Sequence, residues 1–179
     1  MKTESKTYLS LLALSAVILN LIALASCQPS QKITEKDITE VMRLTLERAL
    51  IAQEIPDYDL IEDTANIVLS SENVNPSLLP QISGVTLTLL SPEQIQEKAD
   101  RQGDFLYLRF KEITPALSVA EGVEDSKIIV SLESAWAIGK NSTTAYLSGG
   151  GFTVEYHRKD GKWVKDGKWV GEVTVTWTS

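Results

Sequence analysis

The chain has 179 residues, with 17 lysines and arginines against 24 acidic residues and a formal net charge of −7. A chain this acidic lacks the basic footprint that phosphates require, which excludes nucleic acid as a partner. One cysteine excludes an internal disulfide framework and any cysteine-built metal site.

The N-terminus comes first in chain order. Lys2 and Lys6, diluted by Glu4, precede an apolar stretch from Tyr8 to Ala25 that only Ser10, Ser15 and Asn20 interrupt. The stretch closes on the small residues Ala25 and Ser26, and the single cysteine, Cys27, follows at once. This is the three-part layout of a secretory signal. The segment Leu24-Ala25-Ser26-Cys27 resembles the lipobox of bacterial lipoproteins. The resemblance implies that residues 1–26 are a signal peptide and that Cys27 is acylated as the first residue after cleavage. It also implies a lipid anchor in the membrane of the bacterial cell envelope. Gln28 stands where an aspartate would retain such a protein at the inner membrane, so in a host with two membranes the implied site is the outer membrane, facing the periplasm.

Residues 27–33, with Pro29 and Ser30, read as the lipidated N-terminus and a short tether. The single domain then spans 34–179. Thr34 is a helix N-cap with Asp37 three residues on, and Glu35 and Asp37 suit the positive helix end. Ile38, Val41, Met42, Ala49 and Leu50 recur at helical spacing, which predicts a helix to about Gln53, ahead of Pro56. Residues 66–70 and 85–90 alternate as strands. Ser91, Pro92 and Gln94 open a second, short helix that ends near Gly103. Residues 104–112, 127–138, 152–157 and 173–178 alternate as further strands. The predicted class is α+β: a long N-terminal helix on a curved, mainly antiparallel sheet of about five or six strands, with a second short helix and the other sheet face polar. The run from Tyr146 to Trp163 is similar to the last strands of nuclear-transport-factor-2-like and cystatin-like domains, which implies the same helix-on-curved-sheet arrangement.

The sequence K-D-G-K-W-V occurs twice in tandem, at Lys159–Val164 and Lys165–Val170. Asp-Gly is a hairpin signal. Trp163, Trp169, Val173, Val175 and Trp177 share odd positions, which favours the turn at Asp160-Gly161 and a strand running on through Gly167, with a bulge or short loop there. Since six is even, removing one copy should preserve parity. The same hairpin gathers Arg158, Lys159, Lys162, Lys165 and Lys168 into a basic patch, a candidate surface for anionic headgroups, an envelope protein or cell-wall polymer.

Chemistry is sparse. His157 is the only histidine, and a triad would need Ser148, His157 and Asp160 to converge without a nucleophile elbow. Asp57, Asp59, Glu62 and Asp63 fail the calcium-loop spacing and read as a solvated loop. Gly149-Gly150-Gly151 lacks the lysine and helix of a phosphate loop and reads as a bulge or turn. No catalytic residue, metal ligand or cofactor is assigned. The expected function is a non-catalytic binding or structural lipoprotein. The alternative is a small pocket hydrolase or isomerase on a nuclear-transport-factor-2-like scaffold.

Overall fold

Thr34 is extended and its hydroxyl accepts the amide of Asp37, while the Asp37 carboxylate accepts the amide of Thr34 at 2.8 Å. This reciprocal box starts helix α1, Glu35–Leu50. Val41, Met42, Thr45, Leu46, Ala49 and Leu50 form its buried stripe. The opposite side is charged, and Arg43 pairs with Glu40 at 2.8 Å and Glu47 at 2.5 Å. The helix stops three residues before the expected Gln53, which itself takes a left-handed φ of 57° and turns the chain. In the computed structural model the described residues are 32–120, 123–144, 146–159, 161–165 and 172–178, so Cys27 and Lys168 lie outside them.

Among the described residues seven strands follow: β1 Asn66–Ser70, β2 Thr86–Leu90, β3 Phe105–Ala120, β4 Val123–Ala137, β5 Tyr146–Lys159, β6 Lys162–Lys165 and β7 Glu172–Thr178. Helix α2, Pro92–Gln102, lies between β2 and β3. The sheet order is β2-β1-β3-β4-β5-β6, with β7 also on β5. From β3 onward every pairing is antiparallel, but β1 runs parallel to both β2 and β3. The sheet is therefore mixed. Residues 71–85 and the α2 segment are long enough to return the chain to its starting end, which parallel pairing requires.

The main core lies between α1 and one sheet face, where Leu69, Leu108, Phe110, Ile128, Val130, Leu132, Phe152, Val154 and Tyr156 are buried. The opposite face is not uniformly polar as expected. Ile95 and Ala99 of α2 pack there with Ala137 and the partly buried Val68, Leu90, Phe105 and Tyr107.

Gly149-Gly150-Gly151 is neither a bulge nor a turn; it is strand interior, with Gly151 opposite Glu133 and Gly150 opposite Ser134. A Cβ on Gly151 would lie 2.2 Å from the Leu132 carbonyl oxygen. The glycines let β5 close onto β4 where the sheet curves. A register shift between Phe110 and Glu112 kinks β3 in the same layer.

Lys159 pairs with Lys162, so two residues connect the strands, as expected, and Gly161 has a φ of 74°. The strand does not run on in phase. Tyr156 pairs with Lys165 and Phe152 with Glu172, so seven steps on the returning chain face four on β5. Three residues are in excess. The odd offset breaks the parity expected from Trp163 to Trp177.

Candidate functional site

Strand β5 alternates so that Phe152, Val154 and Tyr156 point into the core. Arg158 continues that phase and its guanidinium reaches the Asp37 carboxylate at the start of α1. Trp163, opposite Arg158 in the hairpin, donates its indole N–H to the same carboxylate at 2.9 Å. The guanidinium also stacks 5.1 Å from the Trp163 ring. Asp37 thus joins three elements: the helix cap, β5 and β6. Its burial alone would push the carboxyl pKa up. Hydrogen bonds from Thr34 and Trp163, with the Arg158 charge, overcome that and hold it below the ordinary range.

Below this clamp the Tyr156 hydroxyl meets Thr45 at 2.9 Å, and burial raises its pKa. Beside it opens a groove of about 700 Å³ between the C-terminal half of α1 and the β5–β6 hairpin. Leu44, Ile51, Ala52, Tyr156 and Trp163 supply its apolar surface, and Lys165 and Glu47 stand among its walls. Arg48 lines it too, paired with Glu54 and lying 4.7 Å from the Phe152 ring. Its volume falls in the range of small-molecule sites. A second, smaller cavity of about 130 Å³ lies under Leu60 and Ile61 beside Trp136.

The sequence-derived patch is not brought together whole. Arg158 faces inward and is spent on Asp37, whereas Lys159, Lys162 and Lys165 are exposed. His157 lies on the face away from the main core, 3.0 Å from Glu155, which Lys127 also reaches at 2.9 Å. Ser148 sits nine residues away on the same strand, roughly 30 Å at the rise of a β-strand, so no triad forms with His157. Asp160 lies outside the described residues. In the acidic loop, Asp63 accepts the amides of Ala65 and Asn66 and the side-chain amide of Asn66, a turn-building role. Among the described residues no group of three acidic, histidine or cysteine side chains could hold a metal ion. Asn141-Ser142-Thr143 belongs to a loop organised by Asp104, which accepts from the Gly139 amide at 2.7 Å and from Ser142.

Sequence reasoning missed Glu133, buried on the α2 side of the sheet between Arg109 at 2.5 Å and Lys111 at 3.3 Å. It also missed the burial of Asp37. The signal for Asp37 was present, since a capping-box acid followed by an apolar stripe sits where the helix meets the sheet. No protein-family model, curated protein or solved structure matches the chain.

Proposed function

We propose that the protein is a lipoprotein of the bacterial cell envelope, anchored through Cys27, whose domain is a non-catalytic binding or structural module. The observation that carries this reading is the use of its buried charges. Asp37 with Arg158 and Glu133 with Arg109 are ion pairs that tie strands and helix together. A general acid or base must instead be free to exchange a proton with a reactant. His157 supports the same reading, because it sits on the face away from the main core with Glu155 and Lys127. The groove beside α1 supplies the surface a binding module needs. Its apolar floor offers contact area, and the Arg48–Glu54 pair offers orientation.

The anchor is tested by metabolic labelling with a fatty acid. The wild type should carry the label and sediment with membranes. Cys27→Ser should lose the label while keeping the same unfolding transition. Equal labelling of the two proteins would remove the anchor from this reading.

A further inference from the structure

The clamp at Asp37 has a directional consequence. It fixes the β5–β6 hairpin to the N-terminal end of α1, because Arg158 and Trp163 both bond a carboxylate at the third position of that helix. The same carboxylate holds Thr34, where the chain enters the domain. Thr34 is seven residues from Cys27, so the two lie within roughly 25 Å of each other at full extension. The hairpin tip is therefore held at the end of the domain where the chain enters. That end carries the exposed ammonium groups of Lys159 and Lys162 on the hairpin and of Lys32 and Lys36 before and within α1, with Glu35 between the last two.

We propose that the tip of the β5–β6 hairpin, with Lys159 and Lys162 leading, is a membrane-contacting surface that recognises anionic phospholipid headgroups. The inference rests on the Cys27 anchor proposed above. Acyl chains hold the Thr34 end of the domain at the bilayer, and the clamp prevents the hairpin from swinging away. Lysine stems are long enough to place point charges among headgroups. The rest of the chain is acidic, so this orientation keeps like charge off an anionic surface. A second signal beside the acyl chains also fixes how the domain stands on its anchor, which the chains alone do not. Arg158 takes no part, because it is consumed by the clamp.

The test uses the full lipidated protein reconstituted into vesicles of phosphatidylcholine alone or with phosphatidylglycerol added. Fatty-acid labelling of wild type and Cys27→Ser, with flotation of the labelled wild type, first reports the anchor by itself. Amine-reactive labelling, read residue by residue, then reports the surface. Lys159 and Lys162 should label roughly fivefold less on the phosphatidylglycerol vesicles, the factor expected for one lysine near an anionic surface. Lys140, in the β4–β5 connection at the other end of β5, should label equally on both. Trp163→Phe and Asp37→Asn should float normally yet lose part of the protection, as the hairpin is released. Normal flotation with no protection overturns the proposal and leaves the anchor intact. Protection by added peptidoglycan but not by phosphatidylglycerol also overturns it. Failure to float overturns the anchor and the surface together.

Discussion

The indole N–H of Trp163 donates to the Asp37 carboxylate at 2.9 Å although 126 residues separate the two. A capping acid has become the point where the two ends of the domain are joined. Asp37→Ala removes a helix-cap acceptor and leaves the Arg158 guanidinium without its carboxylate. The expected loss is about 3 kcal/mol, combining a cap near 1 kcal/mol with the breaking of a largely buried pair. Trp163→Phe keeps the ring and removes one donor, so about 1 kcal/mol is expected. The two losses should add to more than the double variant shows, because they share a partner. Urea unfolding of the four proteins checks this.

The same carboxylate makes stability depend on pH. Its folded pKa lies below the ordinary value of 3.8, so the contribution is fully present above that value. It is lost as the pH falls through the folded pKa, where both states bind the proton. Glu40, held down first by the Arg43 hydrogen bond, and Glu155, held down first by that of Lys127, act in the same direction. The stability of the wild type should therefore fall on acidification below 4.5, as the glutamates begin to bind protons in the unfolded chain, and further below 3.8, where Asp37→Asn should show a shallower fall. Parallel curves for the two proteins would show that Asp37 titrates alike in folded and unfolded chains.

Legibility in the sequence followed the range of the interaction. Both helix starts could be read because a cap is local: Thr34 with Asp37 and Ser91 with Gln94 bond across three residues. The two-residue connection between Lys159 and Lys162 could be read for the same reason. The parallel placement of β1 could not, because the alternation in Asn66–Ser70 and Thr86–Leu90 is the same for either strand direction. Nor could the inward turn of Arg158. As a charge in a basic run it reads as solvent-facing, and only the distant Asp37 draws it in. The glycine run was misread because three glycines suit a turn and a tight strand contact equally well.

That contact makes a prediction of its own. A methyl group on Gly151 would meet the Leu132 carbonyl oxygen at 2.2 Å and the Glu133 Cα at 2.7 Å, both backbone atoms that cannot swing aside. On Gly149 the nearest atom is the Ser134 carbonyl oxygen at 3.0 Å. Gly151→Ala should therefore cost about 3 kcal/mol, at the upper end of overpacking losses, and Gly149→Ala distinctly less. Denaturant midpoints for the two variants give the comparison. Equal midpoints would mean that β4 and β5 are farther apart than the register implies.

The repeat gives the last prediction, and the structure reverses what parity alone suggested. Between Lys165 and Glu172 stand six residues, where β5 has three between Tyr156 and Phe152. Deleting three, Lys168 to Val170, leaves as many residues on the returning chain as on β5. Both β6 and β7 can then keep their partners, and stability should stay within about 1 kcal/mol of the wild type, as for other loop shortening. Deleting the whole copy, Lys165 to Val170, leaves only Gly171 between Val164 and Glu172. Glu172 would then fall opposite Glu155 instead of Phe152, a slide of three residues or roughly 10 Å along β5. An odd slide also exchanges the faces of the sheet. Either β6 or β7 must give up its pairing, so the six-residue deletion should be the more damaging, although it removes an intact copy of the motif. Cross-strand backbone contacts between Gly151 and Val173, which pair in the native sheet, should persist in the three-residue deletion and vanish in the six-residue one. Their survival in both would show that β7 is not held in this register by the chain before it.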